Sequence, residues 1–219
     1  MARAKLHLSG DSEADALLSR DPMALLIGMV LDQQVPLEWA FRGPAELARR
    51  LGGTLDASSI AAMDPEQLSE AFSRKPALHR YPGSMATRVQ AMCRAVSEDY
   101  GGDAAAIWKG ASDGVELRRR LEGLPGFGAQ KARIFLALLG KQLGVDPPGW
   151  REASTPYGEP GSYFSVADIV DTSSLEQVRA HKQQMKAAAK AAGAKKAGGA
   201  KAAGRPTAKK APSGAAARR

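Results

Sequence analysis

An all-α fold is predicted by three observations. Apolar residues recur at helical spacing along most of the chain, Asp or Ser stands ahead of most of these segments, and no stretch shows the sustained alternation of a strand. Ser12-Glu13-Ala14-Asp15 opens a short first helix. Asp21-Pro22 then supplies an N-cap followed by proline at the first helical position, opening the nearly all-apolar MALLIGMVLDQQ, which must be central. Pro36 breaks that helix, and LEWAF and PAELARRLG follow as two short ones. Asp64-Pro65-Glu66 opens EQLSEAF. Ser84 is the expected cap of MATRVQAMCRAVSEDY, whose Met85, Val89, Met92, Cys93 and Val96 share one face. Asp103 precedes AAAIW, and Asp113 precedes VELRRRLEG, which Gly123 ends. QKARIFLALLG begins five residues later. From Asp146 the chain turns to Pro, Gly, Ser and Tyr, an irregular segment, before a last helix near SLEQVRAHKQQMKA.

Charge is unevenly distributed. Residues 1–179 carry 20 basic and 23 acidic side chains, whereas residues 180–219 carry 11 basic and none acidic, so the net +8 comes from the tail. Residues 182–219 reduce to Lys, Ala, Gly, Pro and a few others, which cannot bury an apolar face; a disordered basic tail is expected there, with a helical domain over 1–181. Lysines and arginines that approach phosphates release counterions, so this tail predicts salt-sensitive, sequence-blind affinity for DNA. The sequence offers no apolar signal segment or membrane-spanning run, and a soluble cytoplasmic, nucleoid-associated monomer is the expectation. Cys93, the single cysteine, cannot ligate an iron–sulfur cluster, and three histidines leave no zinc spacing. No cofactor and no metal are expected.

Leu124-Pro125-Gly126-Phe127-Gly128 lies between two predicted helices. Two glycines two apart permit a tight turn with positive φ, and the amides of Gly126, Gly128 and the residues after them then point outward at the start of the second helix. Free N–H groups at the positive end of a helix dipole bind an anion, and a nucleic-acid phosphate so held is positioned without its base being read.

The segment ELRRRLEGLPGFGAQKARIFLALLG resembles the helix–hairpin–helix of the HhH-GPD base-excision DNA glycosylases, the superfamily of endonuclease III, MutY and the alkyladenine glycosylases. MALLIGMVLDQQVPLEWA is similar to the buried helix of that family, which ends in a glutamine-containing turn entering the DNA near the lesion; Gln33 and Gln34 occupy it. YPGSMATRVQAMCRAV is similar to the helix that precedes the hairpin. Pro22 to Trp150 carry the resemblance. It implies double-stranded DNA as partner, base removal from a flipped nucleotide as activity, and contacts to DNA from Leu124, Gly126, Phe127, Gly128, Gln130 and Lys131. It also implies a catalytic aspartate in the Gly/Pro-rich loop beyond the hairpin, which GKQLGVDPPGW supplies as Asp146. A carboxylate there would stabilise the cationic sugar of the transition state and orient water; a loop or capping aspartate is the other use of a Val-Asp-Pro-Pro turn.

The sequence departs from the family at two points. Members that also nick the strand carry lysine two residues after the last hairpin glycine; here that position is Gln130. Lys131 follows one residue later, about 100° further around the helix, and is expected to face phosphate or solvent. Base removal without strand cleavage is therefore expected. Pro147-Pro148-Gly149-Trp150 replaces the short polar, histidine-containing stretch that commonly follows the aspartate. Gln33 and Gln34 would donate to, or fill the space left by, a flipped base, or else cap the helix end. Trp150, on the irregular loop, is the aromatic residue to test as a stacking surface. A non-catalytic, nucleoid-associated DNA-binding role is the alternative function.

Overall fold

The computed structural model describes residues 5–202, with side chains through residue 188. Ten α-helices and two short 3-10 turns make up its regular structure, and no strand occurs among the described residues. Tertiary contacts divide the chain after Ala180.

In the first unit, α1 (Ser12–Arg20) is capped by the Asp11 carboxylate, and α2 (Pro22–Leu31) by that of Asp21. Every α2 residue from Met23 to Leu31 is buried. With no polar face to present to water, this helix lies at the centre, against α1, α3 (Leu37–Arg50) and α6 (Pro82–Tyr100). Two helices were expected across 37–50, yet α3 is continuous through Pro44. Beside it, Gly43 lies so close to Leu31 that a Cβ there would stand 2.5 Å from its Cδ1. Packing of this segment on α2 thus outweighs the hydrogen bond that Pro44 removes.

The six-residue α4 (Ala57–Ala62), capped by Asp56, has no counterpart in the sequence reading; ASSIAA is too short to show periodicity. Asp64 caps α5 (Pro65–Ser73) as expected. Ser84 is not the cap of α6: the helix starts two residues earlier, at Pro82. A proline at the first helical position needs no amide partner and has φ already set, so it fixes that start. A 3-10 turn at Ala104–Ile107 follows Asp103.

Then α7 (Gly114–Glu122) and α8 (Ala129–Gln142) form an antiparallel pair joined by the 123–128 turn. The Pro/Gly-rich stretch beyond contains the short α9 (Trp150–Ala153) and a second 3-10 turn, Val166–Asp168, packed on α8. Asp168 is buried there, and Lys141 Nζ donates to its Oδ1 at 2.5 Å.

The last helix, α10, runs from Thr172 to Ala202. Its residues from 182 on belong to the basic tail, whose Ala, Lys, Gln and Met have high helix propensity. The part of the expected tail from 203 to 219 lies outside the described residues. Among the described residues, no helix is long and apolar enough to cross a membrane.

Candidate nucleic-acid interface

The 124–128 turn is fastened to the core by its apolar residues. Leu124 is buried, and Phe127 is buried with its ring edge-on to Phe135, centroids 5.5 Å apart. Their side chains therefore anchor the turn from beneath, and the expectation that Leu124 and Phe127 themselves meet DNA is corrected: both rings and methyls are committed to packing. Phe127 N–H also closes the turn on Leu124 O at 3.0 Å.

The two glycines have different duties. Gly126 has φ +91°, a conformation that side chains disfavour; a Cβ there would meet Arg88 Cδ at 3.1 Å and Val30 Cγ2 at 3.4 Å. Gly128 has φ −86°, so the expected positive φ holds for the first glycine only. A Cβ at Gly128 would meet nothing within 4 Å. Gly128 is the N-cap of α8 and offers no capping side chain, and the amides of Gly126, Gly128, Ala129, Gln130 and Lys131 have no acceptor among the described residues. Since Gly128, Ala129 and Gln130 are exposed, these amides form an open anion-binding edge at the positive end of a 14-residue helix. The Gln130 side chain turns aside and donates to Tyr157 Oη at 2.9 Å.

Beside this edge lies the end of α2, where Gln33 is held from three directions. Its Nε2 donates to Val30 O at 2.7 Å, Arg88 Nη1 donates to its Oε1 at 2.8 Å, and its carbonyl lies 2.8 Å from His79 Nε2. Tyr81 N–H donates to His79 Nδ1 at 3.0 Å, which makes Nδ1 the acceptor and places the ring proton on Nε2, facing the Gln33 carbonyl. His79 is itself buried. The next residue, Gln34, has φ +56°, the only positive φ of a non-glycine among the described residues, and it is exposed. Strain of this kind costs about 1–3 kcal/mol and persists where the surroundings impose it. Gln34, exposed, directly follows the fixed Gln33.

Lys131 departs from its expected orientation. It is half-buried, not solvent-facing, and its Nζ donates to Met29 O at 2.5 Å and Val30 O at 3.2 Å. Both carbonyls belong to the last turn of α2, where Gln33 N–H bonds Leu31 O instead of continuing the helix. Orphan carbonyls at the negative end of a helix dipole attract a cation. Burial pulls the Lys131 ammonium down from the ordinary 10.5 to about 8, against the pull of Asp32, with Arg88 adding to the depression. Asp32, the C-terminal cap residue of α2, is half-buried and close enough to act on Lys131.

Asp146 does not join this group. The residue is exposed and follows the far end of α8, which Gly144 closes at φ +67° with Val145 N–H on Leu139 O. The chain then runs to the start of α7, where Gly114 N–H bonds Pro148 O. The hairpin sits at the opposite ends of both helices, and the length of α8 alone, at about 1.5 Å per residue, separates them by about 20 Å.

Trp150 is corrected as well. It is buried against Gly140 and Gly114, either of which would clash with it if given a Cβ, and Arg151 covers its ring at 4.3 Å. No face of it is open to a base. Cys93 is buried in the core, which pushes its thiol up to about 12.

Arg88, His79 and Asp32 are the residues that sequence reasoning missed. Asp32 adjoins the two glutamines in sequence, a signal present but not weighed. Arg88 and His79 carry none, because only the fold brings them to Gln33. A cavity of about 760 Å³ between α1, α3 and Pro76–Leu78 shares no lining residue with this face. Its Glu38, Arg42 and Glu46 already bond Arg179, the Ser9 and Gly10 carbonyls, and the Arg49–Arg50 pair respectively.

The family described as HhH-GPD superfamily base excision DNA repair protein matches residues 27–197. That span contains the glutamine turn, Arg88 and the whole hairpin. No curated protein and no solved structure matches the chain.

Proposed function

The chain belongs to the HhH-GPD superfamily of base excision DNA repair proteins, and from that premise we propose that it is a monofunctional DNA glycosylase acting on a base flipped from the duplex. The observation that carries this reading is the adjacency of two features. An open set of backbone amides at 126 and 128–131 stands next to a projecting turn, Gln33–Gln34, that is tied to the hairpin side by Arg88. The first grips a phosphate, and the second enters the space that a displaced nucleotide vacates.

Hydrolysis breaks the bond between the sugar C1′ and the base nitrogen. The base leaves with the electron pair and takes up a proton, while water delivers hydroxide to C1′. A carboxylate stabilises the positive charge that develops on the sugar. At the hairpin face that group is Asp32, which takes the role sequence reasoning gave to Asp146. One cysteine cannot supply a cluster, and the reaction as written needs no metal.

Release of uracil, hypoxanthine, 3-methyladenine or 8-oxoguanine from duplexes, followed by alkaline cleavage at the resulting abasic site, tests the proposal. Tight binding without release from any of them would instead favour a non-catalytic DNA-binding role, the reading that the remote position of Asp146 supports. Strand nicking is not expected: Gln130 stands where the lyase lysine would, and the Lys131 amine is turned to the α2 carbonyls. Borohydride added during turnover should trap no protein–DNA adduct, and an adduct lost with Lys131→Met would contradict the monofunctional assignment.

A further inference from the structure

The Lys131 side chain has no role in the reading above, yet its placement carries a desolvation cost. A charged amine has been taken largely out of water and aimed at main-chain carbonyls of another helix. Its position explains the cost. The hairpin is connected to the glutamine turn along two routes. On one side, Lys131 in the first turn of α8 holds Met29 O and Val30 O, and Val30 O also accepts from Gln33 Nε2 at 2.7 Å. On the other, the aliphatic stem of Arg88 lies against Gly126 while its guanidinium holds Gln33 Oε1. The two routes close a ring through the hairpin, the end of α2 and the start of α6.

Resting on the glycosylase reading above, we infer that Lys131 is a positioning residue: it locks the Gln33–Gln34 turn in register with the hairpin, so that capture of a phosphate and entry of the turn into the base stack occur together. The charged groups that face its amine are Asp32 from the end of α2 and Arg88 from α6. Loss of the proton weakens both hydrogen bonds and removes the cation from the helix end, leaving Asp32 without its counter-charge. The coupling should therefore be complete below about 8, where the ammonium is charged, and should fade as pH rises through that value. An arginine in this place stays charged throughout.

The test uses the full chain and a duplex containing a tetrahydrofuran abasic analogue with 2-aminopurine as its neighbour. Anisotropy reads binding, and 2-aminopurine fluorescence reads entry of the turn into the stack. For Lys131→Met, read at protein concentrations that saturate the duplex, the expected result is a fluorescence rise reduced about fivefold or more, within the usual span of coupling between sites. The rise of the parent should decline from pH 7 to 9 around a midpoint near 8, and that of Lys131→Arg should persist across the same interval. A fluorescence rise unchanged in Lys131→Met, or a parent profile that Lys131→Arg reproduces, would overturn the inference. Failure of the parent to bind this duplex would instead defeat the DNA-repair reading beneath it, so the two failures are distinguishable.

Discussion

Valine in place of Gly128 is expected to abolish most hairpin-dependent DNA binding while leaving the fold intact. The geometry sets both halves of this result. A Cβ at Gly128 meets no protein atom within 4 Å and the backbone is extended there, so the side chain finds room and incurs no strain. Replacing an N-cap glycine costs about 1 kcal/mol or less, which moves the melting temperature by a few degrees. The open space, however, lies where a phosphate would approach the amides of Gly128, Ala129 and Gln130. Losing one hydrogen bond to a charged oxygen costs about 1.5–3 kcal/mol, roughly a ten- to hundredfold loss in affinity. Gly126→Val should behave differently. With φ +91° and Arg88 at 3.1 Å, it should lower stability as well as binding. Calorimetry and titration of a short duplex separate the two outcomes, at a salt concentration that suppresses the contribution of the lysine-rich C-terminus. A Gly128→Val protein that binds as the parent does would show that the amide edge is not the phosphate site.

The second large effect concerns the carboxylate. On a duplex from which the parent releases a base, Asp32→Asn is expected to slow single-turnover release about 100-fold or more, the usual effect of removing a group that stabilises transition-state charge. Asp146→Asn should stay within about twofold, since it alters an exposed loop about 20 Å along α8 from the hairpin. The reverse pattern would restore Asp146 to the role that its place in the sequence suggested.

That contrast shows which parts of the site were legible from residues alone. The hairpin was, because its signals are local: glycines that a tight turn requires, an amphipathic helix before it and an apolar one after. The central helix was too, since an unbroken run from Met23 to Leu31 admits no surface. Position along the chain was a poor guide to Asp146, because a given number of residues beyond the hairpin can return alongside the second helix or continue past its end. Here α8 persists to Gln142 and Gly144 closes it, so the chain continues. The direction of Lys131 was equally hidden. Helical phase places it on α8, but what it meets depends on where α2 stops and leaves Met29 O and Val30 O exposed to a donor. Trp150 read as a loop aromatic, and it is core because Gly140 leaves room for its ring and Gly114, distant in sequence, for the main chain that carries it. Helix α3 ignored Pro44 for a similar reason: contact with α2 overruled a local preference.

Hydrogen exchange resolved at single amides, with the full chain alone and bound to a short duplex containing the tetrahydrofuran analogue, bears most directly on the DNA-binding face. Gly128, Ala129 and Gln130 have exposed amides without an internal partner, so they should exchange fast in the free protein and slow strongly on binding, together with those of 33–35. Slowing confined to residues outside these two segments, with Gly128–Gln130 exchanging as fast in the complex as in the free chain, would contradict the assignment of this face to DNA.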